Sequence, residues 1–374
     1  MLRIARVLLV LSSAAGPLAA QGVGLYPSFA GLTGFEAQVY NFDPGINTKL
    51  VSQWHVPIVA VVPLSGPLSF DVTTNYASQR FEAYDGTVET LSGLTDTQLR
   101  LLYTLSPDRF VGSVSFNLPT GQHSVPSTEF NVVGAVGSNY LSFPVPNPGT
   151  SFGVTTGLAY AARAGSWDVG ISGSVRYLAS YQPFSDDDTL SYKPGVEGRV
   201  RAGVDRLLGE RARFLLGFTV STFSSDDYTG TNQFVSQGSY APGTRLIGDA
   251  TFLRVIGRCT LTASAWDLYR VAGSDTSGSI LGTKENVVNG ELRLTWPVGP
   301  RFQVEPMAGY RESDVANYLN GRMGSGGVTL RMGLTDRLSL TVVGRYDTGW
   351  IYDPISGRAD FTGFQGSFFL RMGQ

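Results

Sequence analysis

The chain predicts an all-β fold, a transmembrane antiparallel up-and-down β-barrel of about sixteen strands, on three observations. Stretches of roughly ten residues alternate apolar and polar side chains across residues 34–371. The connections between them alternate short and long, which puts brief turns at one end of a barrel and larger loops at the other. The polar face carries charged residues in mid-strand while the apolar face is the more uniform. That inverts the small soluble barrel, whose inward positions are filled by apolar side chains.

The N-terminus sets the compartment. Arg3 and Arg6 precede an apolar run at residues 7–11, and small residues lead to Leu18-Ala19-Ala20. Residues 1–20 therefore read as a cleaved secretory signal, with Gln21 the first mature residue. The run is too short for a membrane helix, which needs ~20 apolar residues. Residues 21–33 follow as a short periplasmic segment and residues 34–374 as the barrel, placed in the outer membrane of a Gram-negative-type bacterium. A single cysteine, Cys259, excludes an internal disulfide and reads as a small wall residue. With 28 Lys plus Arg against 30 Asp plus Glu, charge gives no basis for nucleic-acid binding.

Alternation is cleanest in the C-terminal half. Leu292, Leu294 and Trp296 oppose Glu291, Arg293 and Thr295, and Phe302, Val304, Ala308 and Tyr310 oppose Gln303, Glu305 and Arg311. Val328, Leu330 and Met332 oppose Thr329 and Arg331; Leu338, Leu340, Val342 and Tyr346 oppose Ser339, Thr341 and Arg345. In the last segment Phe364, Phe368, Leu370 and Met372 oppose Gln365, Ser367 and Arg371. Period two in consecutive segments assigns strands. Tyr103, Trp167, Tyr177, Trp296, Tyr310 and Tyr346 mark the ends of the apolar faces, as aromatic girdles do at bilayer interfaces. The polar face then lines the lumen, with Arg100, Arg176, Glu197, Arg199, Arg201, Arg293, Glu305, Arg331 and Arg345 as candidates, beside Asp168. An antiparallel sandwich with one solvated face is the soluble alternative.

Short turns fall near Ser65-Gly66, Ser106-Pro107-Asp108, Ala164-Gly165, Gly209-Glu210, Gly257, Gly299-Pro300 and Thr335-Asp336. Long loops fall near Gly45, over residues 80–95 and 119–150, and around Asp186-Asp187-Asp188. Others cover residues 224–242, 273–284, 312–321 and 349–360. This interleaving gives about sixteen strands with both termini on the short-turn side, or about fourteen if the weak segments at residues 35–42 and 49–62 are miscounted. Closure removes the sheet edges that lipid would leave unsatisfied. In the final strand, Gln365-Gly366-Ser367-Phe368-Phe369-Leu370 resembles the glycine-plus-aromatic signal read by the outer-membrane assembly machinery.

Catalytic chemistry finds little support. His55 and His123 are the two histidines, and no serine motif or Asp–His spacing supplies a nucleophile, a base and an orienting group. Two distant histidines and one cysteine make no metal-ligand set, and no cofactor is indicated. Asp186-Asp187-Asp188 and Asp226-Asp227 are either solvated loop tips or calcium ligands. What remains is passage, since a barrel of this size with a polar interior leaves room for a water-filled path. The inner-face arginines outnumber the acids singled out with them, which favours anionic or polar solutes unless the charges pair to solvate the wall. Residues 119–150 are the candidate gate, long and apolar, with Phe130, Tyr140, Leu141, Phe143 and Pro146 as its leading side chains. Such a loop enters the lumen, forms an apolar docking place for a hydrophobic substrate, or packs over the mouth or on neighbouring subunits.

One pair of motifs carries a resemblance. Gly93-Leu94-Thr95-Asp96 at a strand start, followed by Leu118-Pro119-Thr120-Gly121 at a strand end, resembles the outer-membrane family of the meta-pathway of phenol degradation. The resemblance implies a barrel that helps small, hydrophobic or aromatic compounds across, and it carries over no catalytic residues. The long-chain fatty-acid transporters are similar in style, but their extended N-terminal plug has no counterpart in residues 21–33. The expectation is a channel or passive transporter for small-molecule solutes, in contact with outer-membrane lipid and lipopolysaccharide. A structural or adhesive barrel working through its surface loops is the first alternative, and a barrel hydrolase the second. Homo-oligomers such as trimers suit this size, though no strand announces an interface.

Overall fold

A computed structural model of the chain describes residues 29–373, apart from 107–108, 231–236, 276–279, 282–283, 316–319 and 354–355. The signal expected at residues 1–20 lies outside the described residues, as does most of the segment at 21–33. In chain order the strands are β1 (Ala30–Phe42), β2 (Thr48–Ser65), β3 (Leu68–Ala83), β4 (Val88–Leu94), β5 (Thr97–Ser106) and β6 (Phe110–Leu118). Then come β7 (Gly153–Ala164), β8 (Trp167–Leu178), β9 (Ser191–Lys193), β10 (Glu197–Leu208), β11 (Ala212–Phe223), β12 (Asp226–Thr229), β13 (Gly238–Ala241) and β14 (Arg245–Ile256). The remainder are β15 (Cys259–Arg270), β16 (Gly273–Asp275), β17 (Ile280–Leu281), β18 (Glu285–Pro297), β19 (Phe302–Val315), β20 (Asn320–Gly333), β21 (Leu338–Asp353) and β22 (Gly357–Met372).

Successive long strands pair antiparallel, and the wall closes where β22 meets β1, from Gly31 opposite Met372 to Phe42 opposite Phe361. Closure leaves no wall edge with unpaired amides. β4 and β5 pair end to end along β3, so they form one wall strand broken at Thr95-Asp96. Counted that way, the closed barrel has sixteen strands, and both weak N-terminal segments are among them. The expected short turns separate β2 from β3, β7 from β8, β10 from β11, β14 from β15, β18 from β19 and β20 from β21. Residues 107–108 of the remaining turn lie outside the described residues. The short strands β9, β12, β13, β16 and β17 form a second sheet in the loops above β8–β18.

Several connections expected to be long are strand instead. β3 runs to Ala83 and β4 starts at Val88; β19 runs to Val315 and β20 starts at Asn320; β21 runs to Asp353 and β22 starts at Gly357. The Gly45 connection covers only residues 43–47, and β1 begins at Ala30, four residues before the expected start at Gly34. These strands exceed the ~9–11 residues that cross a bilayer, and their polarity inverts along their length. In lower β3 the exposed or half-exposed Phe70, Val72 and Tyr76 face out, and Ser69 and Asp71 are buried inside. In upper β3, Arg80 and Glu82 face out and Phe81 and Ala83 are buried inside. β22 behaves alike, with Phe364, Phe368 and Leu370 outside below, and Arg358 and Asp360 outside Ala359 and Phe361 above. The lower band has the polarity of a wall in lipid, and the upper band that of a protein in water. Tyr76, Trp54, Phe35 and Phe368 form a continuous aromatic run at the boundary, with ring centroids 5.6, 5.9 and 6.1 Å apart.

Candidate functional site: a loop folded into the lumen

The loop between β6 and β7 turns inward. It carries a helix α1 (Phe130–Val136), and its Val132, Val136, Tyr140, Leu141, Phe143 and Val145 are all buried. The first five pack on the apolar upper inner wall, built by Tyr40, Phe42, Val51, Phe81, Leu91, Met323, Ile351 and Phe361. Tyr40 meets Phe143 edge-on at 5.6 Å. Ser142 sits at φ 56°, and this left-handed residue lets Leu141 and Phe143 both reach the wall. Burial of the six side chains contributes on the order of 10 kcal/mol toward holding the loop inside.

Polar groups fix its register. The Val145 carbonyl accepts from Gln53 Nε2 (2.7 Å) and Gln79 Nε2 (2.9 Å), while Val145 N donates to Gln53 Oε1 (2.8 Å). Buried Arg311 donates to the Tyr140 carbonyl at 2.8 Å, and Gln38 donates to the Leu141 carbonyl at 3.2 Å. Glu89 receives Val132 N at 2.9 Å and Asn131 Nδ2 at 2.5 Å. At the far tip, Asn139 donates to Glu285 at 2.9 Å. These contacts satisfy backbone groups that burial would otherwise strand.

Both ends of the loop meet at Asp96, in the break between β4 and β5. Its Oδ2 accepts from Thr150 N, Thr150 Oγ1 and Asn117 Nδ2, each at 2.7 Å, and its Oδ1 from Gly121 N at 3.2 Å. Thr120 Oγ1 donates to the Thr95 carbonyl at 2.9 Å. The two motifs that suggested a family thus clamp the base of the inward loop.

Of the expected gate residues, Tyr140, Leu141 and Phe143 belong to the buried core. Phe130 is exposed and rests on Phe184, with centroids 5.7 Å apart, and Pro146 is exposed. Strand register puts Arg100, Arg176, Glu197, Arg199, Arg201, Arg293, Glu305, Arg331 and Arg345 on the inner face, with Asp168. The expected arginine excess does not extend along the wall, because acids stand beside most of these residues. Arg100 pairs with Asp71 (2.5 Å), Arg199 with Glu197 (2.7 Å), Arg201 with Asp249 (2.8 Å) and Arg345 with Asp347 (2.7 Å). Arg293 pairs with Glu291 and Glu305, Arg331 with Glu305, and Arg213 with Asp205. Gln38, Gln53, Gln79 and Glu89 are loop-holding residues that sequence reasoning missed, their one signal being a polar side chain at every second position of an N-terminal strand; Arg311 of β19 was legible on a polar face but not as a holder of the loop.

His55 is buried with Nε2 3.6 Å from Glu36 Oε2, whereas His123 is exposed at the loop base near the Tyr181 ring, so the histidines do not share a site. Asp186 accepts from Ser127 N and Oγ, and those bonds hold its carboxyl below the usual range. Asp226 accepts from Tyr192 OH at 2.8 Å; burial first, then that carboxylate, pushes the Tyr192 hydroxyl up. Among the described residues no three potential ligands group around a metal position.

The fold and site together define a closed sixteen-stranded barrel whose lumen is divided by its own loop. No protein-family model and no curated protein sequence matches the chain. Among solved structures it is similar to an anion-selective porin from Comamonas acidovorans, at 11% identity over 92% of this chain and 99% of that one, TM-score 0.43. A Pseudomonas aeruginosa FadL homologue matches at 9% identity, over 92% and 90% of the two chains, TM-score 0.43. The outer membrane channel DcaP of Acinetobacter baumannii matches at 11% identity, over 91% and 97%, TM-score 0.41.

Proposed function

We propose that this chain is an outer-membrane channel passing small hydrophilic solutes passively through the part of the lumen its loop leaves free. One observation carries the reading. Val132, Val136, Tyr140, Leu141 and Phe143 of the loop are turned onto the apolar inner wall of β1–β4 and β20–β22 and away from the lumen, leaving Phe130 exposed against Phe184. The inner wall of β5–β15 is instead lined by Ser113, Ser115, Thr155, Ser172, Ser174, Thr219 and Ser221 among arginines that include the ion-paired Arg199 and Arg201. Such a wall solvates water and polar solutes. It offers weaker support for the hydrophobic or aromatic substrate that the motif resemblance implies, and the reading assigns no catalytic step.

The test is planar-bilayer conductance of the refolded mature protein, with liposome swelling in small sugars. Stable current steps and swelling are expected, and deleting residues 128–147 should enlarge the steps because the loop occupies lumen. A folded barrel without steps or swelling overturns the reading.

A further inference from the structure

We propose that arginines on the free side of the upper lumen form a binding site for a small oxyanion, a solute bearing a carboxylate or a phosphate. The inference deepens the channel reading and rests on it. Four strand pairings build the site: Arg199 stands opposite Ser221, Ser221 opposite Arg245, Arg245 opposite Arg270, and Arg270 opposite Glu285. Neighbouring strands lie about 4.8 Å apart, so these residues form one transverse row on the inner face. Arg176 stands beside Glu197, one residue pair above.

Charge in this row is unbalanced, whereas Arg100, Arg201, Arg213, Arg293, Arg331 and Arg345 elsewhere on the inner face each pair with an acid. Glu197 is held by Arg199 at 2.7 Å. Glu285 is shared by Arg270 at 3.0 Å and by Asn139 of the loop. Arg176 and Arg245 have no carboxylate within ion-pair distance among the described residues, although the fields of Glu197 and Glu285 reach Arg245. Four arginines thus face two glutamates. Arg245 and Arg270 stand directly opposite each other, a placement of like charges that costs energy until an anion lies between them.

The side chains can reach a solute. Arg199 and Arg270 are 33% and 46% exposed, and the Arg245 guanidinium lies over the Phe223 ring at 5.5 Å, which limits its swing. Planar guanidinium forks match the paired oxygens of carboxylate or phosphate. Because the loop tip ends on Glu285, a solute entering beside the loop passes along the row.

The experiment titrates the detergent-folded barrel with inorganic phosphate by calorimetry and records the effect of phosphate on potassium chloride current in bilayers. It compares the parent chain with Arg176→Gln, Arg245→Gln and the outer-face control Arg358→Gln, with folding checked by heat-modified gel mobility. We expect saturable phosphate binding and current block, weakened at least tenfold in Arg176→Gln and Arg245→Gln and unchanged in Arg358→Gln. Both variants should also move the reversal potential toward cations. If Arg245→Gln does not fold, Arg176→Gln decides alone. No saturable binding by the parent chain, or equal binding by parent and variants, overturns the site. Binding with the expected losses but no current steps upholds the site and removes the channel; steps without binding do the opposite.

Discussion

Replacing Asp96 with alanine removes the acceptor for four hydrogen bonds at the base of the inward loop. Hydrogen bonds to a charged acceptor contribute about 1.5–3 kcal/mol each when buried. Asp96 is half-buried, so water can replace part of what is lost. A total of about 3–4 kcal/mol is therefore expected for Asp96→Ala. Asp96→Asn should cost only about 1–2 kcal/mol, since the amide oxygen can stand where Oδ2 accepts three of the four bonds. The apolar core of the loop does not touch Asp96, so the loop stays seated while its base opens. At 1.4 kcal/mol per tenfold, Asp96→Ala should lower hydrogen-exchange protection around Gly121 and Thr150 by roughly 10²–10³-fold, and Asp96→Asn by roughly tenfold. Exchange in detergent, read by mass spectrometry on peptides covering residues 117–123 and 148–153, measures this directly. Equal protection in the parent chain and Asp96→Ala would refute the clamp.

Three further outcomes are expected. A side chain at Gly321 would place its Cβ 2.7 Å from the Tyr140 ring, so Gly321→Leu should unseat the loop at a cost of about 1–3 kcal/mol. Single-channel recording should then show larger or flickering steps, and parent-like steps would count against the packing. Ser142→Gly should be tolerated or stabilise by up to about 1 kcal/mol, whereas Ser142→Val should destabilise by a similar amount or more, read by thermal unfolding in detergent. Since Ser127 holds the folded pKa of Asp186 below its unfolded value of about 3.9, that contact is in place above this pH and is lost as pH falls through the lower folded value. Pepsin cleavage near residues 127 and 186 should rise over that interval in the parent chain, and Asp186→Ala, which removes the acceptor of both Ser127 bonds, should be cut equally throughout.

The lower band was readable because lipid outside and water inside impose a single phase of alternation, as in Leu292–Trp296 or Phe364–Met372. The upper band was not, for a physical reason. At Tyr76-Ala77 in β3 and near Phe361–Phe364 in β22 the apolar set changes face, and a phase change in sequence looks like a strand ending. Residues 80–95, 312–321 and 349–360 were read as loops for that cause. The apolar character of residues 119–150 was visible, but the face receiving it was assembled from β1–β4 and β20–β22, which only closure brings together. The lumen charges were legible as arginines; their partners Asp71, Asp205, Asp249 and Asp347 are single acids whose pairing depends on register. The paired motifs were visible as a likeness, and their work as a clamp needed the fold.

The inversion of wall polarity also fixes the depth at which the barrel floats. A wall of uniform alternation could ride up or down in the membrane by a residue pair at small cost. Sinking this one by two positions would draw Arg80, Arg358 and Asp360 into hydrocarbon, and raising it would lift the Phe35–Trp54–Tyr76 rings out of the interface. The wall is therefore its own depth gauge: a thinner or thicker bilayer must deform to meet it, while the loop and its seat stay at a constant height above the lipid.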